Sequence, residues 1–182
     1  MHDQQFQVLR ILDANLNRSM EALRSIEEYV RFILDDTPLT TATKSLRHRI
    51  QQLAEQIPLE KRVMARDVIG DVGGDVSIQS EYERRTAMDV VRAALQRLKQ
   101  SLRVLEEYSK LIQVAVAVEF EKIRYEVYTL EKRLVIQDSS RQRLKLASIY
   151  ALVDAADDEA TFESHITSLL AAGVDVIQLR DK

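Results

Sequence analysis

The residues with the most chemical potential lie in two copies of one pattern. Leu23-Arg24-Ser25-Ile26-Glu27-Glu28-Tyr29 and Leu102-Arg103-Val104-Leu105-Glu106-Glu107-Tyr108 share Leu, Arg, two Glu and Tyr at a constant offset of 79 residues. Upstream, Ala14, Leu16 and Arg18 recur as Ala93, Leu95 and Arg97 at the same offset of 79. Arg24 and Glu28 stand four apart, as do Arg103 and Glu107, so each pair can meet on one helix face. Glu27 and Glu106 point about 100° away from the glutamates that follow them. One reading is two exposed helix salt bridges, each worth about 0.3–0.5 kcal/mol. The sharper reading is a duplicated helical hairpin folded about a pseudo-twofold axis, which brings both sets to one cleft. There Glu27, Glu28, Glu106 and Glu107 would hold Mg²⁺, and Arg24 and Arg103 would hold phosphate.

A second group is Arg66-Asp67-Val68-Ile69-Gly70-Asp71-Val72-Gly73-Gly74-Asp75, which holds three of the four glycines of the chain. It has no sustained period and reads as a loop. Gly70, Gly73 and Gly74 could form a nest of backbone N–H groups for a phosphate. Asp67, Asp71 and Asp75 could bind a hard cation, and Asp67 or Asp71 could serve as a base. A surface turn that happens to carry acids is the plainer alternative. No Gly-x-x-x-x-Gly-Lys-Ser/Thr occurs, so this is not a P-loop. With no cysteine and only His2, His48 and His165, the chain lacks a thiolate zinc site or a cysteine nucleophile.

The elements that position these residues are mainly helical. The 182 residues carry two prolines and a net charge of −3, so chain breakers are rare and the basic surplus of a nucleic-acid binder is missing. No apolar run is long enough to span a bilayer, and the start lacks a signal-peptide core, so a cytoplasmic protein is the expectation. Apolar residues at spacings of three and four predict a first helix over about 4–34 and a second ending at Pro58, with Thr37 as its cap. A Ser80-x-x-Glu83 capping box predicts a third long helix to about Leu111. Val114–Val118 reads as strand or helix, and a fourth helix is placed over about 117–137. Arg141-Gln142-Arg143 reads as a basic linker. Strands near 147–153 and 174–179 flank a helix over 157–172 that ends at Gly173, a βαβ unit. The expected organisation is an antiparallel helical bundle over 1–140, then a linker and the βαβ opening of a truncated α/β domain over 141–182.

The last segment, Ile149-Tyr150-Ala151-Leu152-Val153-Asp154 with Gly173-Val174-Asp175-Val176-Ile177-Gln178-Leu179-Arg180-Asp181-Lys182, resembles the opening of thiamine phosphate synthase, a TIM-barrel family. The resemblance implies that Gln178, Arg180 and Lys182 contact a pyrimidine diphosphate; period two points all three the same way at a strand end. The helical part, on Arg10 to Arg18, the two Leu-Arg-x-x-Glu-Glu copies, Arg47-His48, and Arg66-Asp67 with Gly70-Asp71-Val72-Gly73, resembles a domain fused ahead of that synthase in some bacteria. That family is assigned as a hydroxymethylpyrimidine phosphate kinase. It implies ATP as phosphoryl donor, Mg²⁺, a phosphorylated pyrimidine substrate, and substrate contacts from Asn15, Arg18, Arg66 and the glycines. Ala94 stands where the family's second copy usually has Asn. The rival expectation is a non-catalytic dimerisation module, a homodimer in which the repeat serves symmetry alone.

Overall fold

A computed structural model describes residues 2–67, 70, 83–155 and 158–180. The chain divides into two compact units, Met1–Val135 and Ile136–Lys182.

In the first unit, α1 (His2–Tyr29) continues into one turn of π-helix, Val30–Leu34. Asp35 closes that turn in the left-handed region at φ 55°, and α2 (Thr37–Glu55) follows. The α2 cap is Asp36 rather than the expected Thr37: its carboxylate accepts the Leu39 N–H at 2.7 Å, with Pro38 in the first turn. A short α3 (Leu59–Met64) precedes the glycine segment. The next long helix, α4 (Ala87–Ser109), begins later than the Ser80-x-x-Glu83 pattern implied. Glu83 is not helical, and Ser80 lies outside the described residues. The working box is Thr86 with Asp89, each side chain bonded to the other's backbone N–H at 3.1 and 3.0 Å.

The ambiguous Val114–Val118 is helix, the start of α5 (Val114–Leu146). Val116, Ala117, Phe120, Ile123, Val127, Leu130 and Leu134 are buried along one stripe, and that helical period overrides the short alternation. The same helix runs through Arg141–Arg143, which the sequence suggested as a linker.

α1 packs most closely on α4. Small residues allow it: Ser19, Ala22, Ala94 and Ser101 are all buried, and the distance between packed helices follows the size of the side chains at their contact. Leu12, Leu23 and Ile26 of α1, Leu95, Leu98, Leu102 and Leu105 of α4, and Phe120 and Ile123 of α5 are fully buried in the same core. The buried positions of α2 and the turn that follows it keep step with those of α5. Leu39, Thr43, Leu46, Ile50, Leu53 and Ile57 map onto Val116, Phe120, Ile123, Val127, Leu130 and Leu134 at a constant offset of 77 residues.

In the second unit, β1 (Tyr150–Asp154) and β2 (Val176–Arg180) pair in parallel, with Leu152 opposite Gln178 and Asp154 opposite Arg180. The crossover is α6 (Glu159–Ala171), capped by Asp158 through the Thr161 N–H. Gly173 follows it at φ 81°, a backbone conformation that glycine adopts without strain. Among the described residues no helix is long and apolar enough to cross a membrane.

Candidate functional site

The two Arg-Glu-Glu sets are built alike. In the first, Glu27 is fully buried, and its Oε2 accepts from Nε of Arg47 on α2 at 2.9 Å. Arg24 pairs with Glu28 at 3.1 Å and stands 3.7 Å from Glu27 Oε1. In the second, Glu106 is buried, and its Oε2 accepts from Nε of Arg124 on α5 at 2.8 Å. Arg103 donates to Glu106 Oε1 at 2.7 Å and pairs with Glu107 at 2.9 Å. The repeated motif therefore buries one glutamate per copy between an arginine on its own helix and an arginine on the next. Such a carboxylate is costly to desolvate and costlier to strand, because without its arginines the glutamate is an uncompensated buried charge.

Sequence reasoning missed Arg47 and Arg124 as members of these sets. Each sits on a different helix from its glutamate, 20 and 18 residues away. The signal that could have found them is the offset of 77 residues, which maps Arg47 onto Arg124.

The surroundings of the two copies differ. Arg47 and Arg24 line an open cleft of about 690 Å³ with Met20, Glu21, Ser25 and Glu28. Arg124 is covered: its guanidinium lies 4.8 Å from the Tyr125 ring centre and 5.8 Å from that of Tyr128, and its Nη1 donates to the Tyr128 hydroxyl at 3.1 Å. The Glu106 hydrogen bond raises the Arg124 pKa further above its ordinary value. Lys110, bonded to the Glu107 carboxylate, holds that group below the usual carboxylate range.

A third group sits toward the start of α1. Asp13 is buried and accepts from Arg66 Nε at 2.5 Å, Arg66 Nη2 at 3.3 Å and Arg62 Nη1 at 3.3 Å. Asp67 accepts the Gly70 N–H at 2.8 Å, and Arg10 donates to the Asp67 carbonyl at 2.8 Å. A Cβ at Gly70 would have to displace the Asp67 carboxylate. Asn15 is buried and donates to the Ile11 carbonyl at 2.8 Å, whereas Arg18 is exposed with no ion pair among the described residues. Asp71, Gly73, Gly74 and Lys182 lie outside the described residues.

The structure thus brings Arg24, Glu27 and Glu28 together with Arg47, brings Arg103, Glu106 and Glu107 together with Arg124, and joins Arg66 to Asp13. No hydrogen bond or ion pair among the described residues links one group to another. Asp13 and Arg24 share the continuous α1 and are separated along its axis by about 16 Å, at roughly 1.5 Å per residue. The carboxylates read as Mg²⁺ ligands face guanidinium groups. Among the described residues no cluster of three or more His, Asp or Glu side chains is arranged to hold a metal ion, so the four glutamates do not fit a resident cation.

In the second unit, Gln178 and Arg180 occupy alternate positions of β2. Gln178 accepts a hydrogen bond from the Tyr150 hydroxyl. Arg180 makes a two-pronged pair with Asp154, 2.8 Å on each arm, which lowers the Asp154 pKa.

Residues 10–133 match the ThiD2 family. The chain belongs to that family. The chain is also similar to curated thiamine-phosphate synthases. The protein of that name from Rhodopirellula baltica is 40% identical over 178 residues, covering 96% of this chain and 48% of the relative. That from Nostoc punctiforme is 40% identical over 175 residues, covering 96% and 48%, and that from Gloeobacter violaceus 38% over 175, covering 96% and 49%. The chain therefore spans about half the length of the curated relatives it matches. No solved structure gives a significant match.

Proposed function

We propose that the ThiD2 unit acts in thiamine biosynthesis and phosphorylates hydroxymethylpyrimidine phosphate to the diphosphate, the substrate of a following synthase barrel whose opening is the βαβ unit. The observation that carries this reading is that the similarity to thiamine-phosphate synthases runs through both units, over 96% of the chain. In this reaction the substrate phosphate oxygen attacks the γ-phosphorus of ATP, one P–O bond forms, the bond to the β-phosphate oxygen breaks, and ADP leaves. Such transfer depends on positioning and charge neutralisation, which guanidinium groups supply. In this reading Arg24 and Arg66 are the phosphate contacts, Arg103, expected from the sequence to join them, is instead held by Glu106 and Glu107, Asp67 or Asp71 is the base, and Asn15, Arg18 and the glycines shape the substrate site. Gln178, Arg180 and Lys182 belong to the barrel's diphosphate end. Because the glutamates are committed to arginines, Mg²⁺ enters as the nucleotide complex, a common mode for this ion.

The reading also includes a duplicated hairpin, α1–α2 repeated as α4–α5 about a pseudo-twofold axis. The matching Glu27–Arg47 and Glu106–Arg124 bonds support it. The test is purified protein with hydroxymethylpyrimidine phosphate and ATP–Mg²⁺. ADP is expected in step with a new diphosphate signal by ³¹P NMR. A folded sample that releases no ADP and shows no ligand-induced thermal shift overturns the proposal.

One observation favours the dimerisation alternative. Phe6 and Met64 are exposed, at 47% and 75%, and line one apolar hollow with Leu9. Sedimentation at several concentrations separates the readings: association that Phe6→Glu abolishes, with no kinase activity in the intact protein, supports the module.

A further inference from the structure

We infer that the two Arg-Glu-Glu copies have divided their labour: the α1–α2 copy is an oxyanion-binding site with Arg47 as an unrecognised member, and the α4–α5 copy is a closed structural clasp. The inference rests on the reading that this unit handles a phosphorylated small molecule.

The contrast lies in which guanidinium nitrogens are still available. Arg47 spends only Nε, on the buried Glu27, and neither of its Nη groups has a partner among the described residues. Glu27 cannot move to follow a ligand, because it is fully buried, so it fixes the direction of the Arg47 fork. Arg47 keeps 28% of its side chain exposed, and both it and Arg24 line the open cleft. Arg24 uses Nε and Nη1 toward Glu28 and Glu27, leaving Nη2. In the other copy Arg103 commits both Nη groups to Glu106 and Glu107. Arg124 is 9% exposed, gives Nε to Glu106 and Nη1 to Tyr128, and lies against the Tyr125 ring. Arg24 and Arg103 are equally exposed at 56%, so the contrast lies in the cross-helix arginine: Arg47 presents unspent, pre-aimed donors to the cleft, and Arg124 is covered.

The cleft also holds Glu21, whose carboxylate has no ion pair among the described residues. An acceptor beside two guanidiniums suits a small molecule that carries a phosphate and also donates hydrogen bonds. A bare polyanion would meet the Glu21 and Glu28 charges.

The experiment measures binding without turnover, by ³¹P line broadening and calorimetry with inorganic pyrophosphate and then with hydroxymethylpyrimidine phosphate. Arg24→Gln changes a half-exposed side chain. Arg47→Lys keeps the charge opposite Glu27 but loses the fork. Both are expected to weaken binding at least tenfold, with the pyrimidine phosphate bound more tightly than pyrophosphate. Arg49→Gln, which removes an exposed cation paired with Glu126, is the control and should stay within twofold of the parent. Circular dichroism verifies the fold of each variant. Loss of binding in both variants sustains the site even if no ADP is ever released, which would sink only the kinase reading. Kinase activity that survives both variants unchanged, unaltered binding in both, or no binding to the parent protein at millimolar ligand overturns the inference.

Discussion

Arg124 donates from Nε to Oε2 of Glu106 at 2.8 Å, with both side chains less than a tenth exposed. This pair is a helix-to-helix clasp between α4 and α5. Glu106→Ala leaves the guanidinium buried without its carboxylate and is expected to cost about 3–5 kcal/mol. Glu106→Leu with Arg124→Met removes both charges and should cost far less, or nothing. Urea denaturation of Glu106→Leu, Arg124→Met and the double variant measures the coupling, and a loss in the double variant equal to the sum of the two single losses would show that the pairing contributes no energy of its own.

The close approach of α1 and α4 depends on small side chains. Ala94→Leu adds bulk at a position that is 0% exposed and is expected to destabilise by about 1–3 kcal/mol. The same change at exposed Gln96 should be within about 0.5 kcal/mol of the parent. Thermal melts of the two variants side by side decide it.

Helix starts are carried by single side chains. Asp36→Ala removes the acceptor for the Leu39 N–H, and Thr86→Ala the acceptor for the Asp89 N–H. Each is expected to lower stability by about 1 kcal/mol. Thr37→Ala, at the position the sequence suggested as the cap, should have a smaller effect. Chemical denaturation of the three variants checks the order.

The second unit should loosen in acid. The Asp175 carboxylate accepts the Ile149 and Ser148 N–H groups, which hold its pKa below the usual value. Asp154 is lowered likewise by Arg180. A folded-state pKa below the unfolded value of about 3.9 gives stability that is whole above that pH. It is lost as pH falls through the folded-state values. Amide exchange at Ser148 and Ile149 is therefore expected to quicken below about pH 4, and Asp175→Asn should remove that step.

The helices were legible because apolar residues recur every three or four positions and the chain has few breakers. The βαβ unit was legible for the complementary reason, short apolar runs closed by Asp154 and Gly173. Three boundaries were not. Thr37 and Ser80 fit cap patterns as well as Asp36 and Thr86 do, and the α2 and α4 starts are decided by the bonds that the Asp36 carboxylate and the Thr86 hydroxyl make. Val114–Val118 satisfies both strand and helix periods, and burial of Val116, Ala117 and Phe120 against the core decides for helix. For the candidate site, the spacing disclosed the Arg24–Glu28 and Arg103–Glu107 pairs, since those are local. It did not disclose that Glu27 and Glu106 are buried, because the arginines that make this tolerable come from other helices. Gly70 was read from the sequence as part of an N–H nest, and the constraint on it in the structure is the neighbouring Asp67 side chain rather than a positive φ.

The π turn at Val30–Leu34 gives the chain a spacer that costs no loop. Between Glu28 and Arg47 the first hairpin holds two residues more than the second does between Glu107 and Arg124, yet each arginine meets its glutamate through the same atoms. The surplus is coiled into the widened turn and Asp35, while the opposite corner crosses by Lys110–Gln113. Trimming two residues there would give both corners one length and spare the grip beyond them.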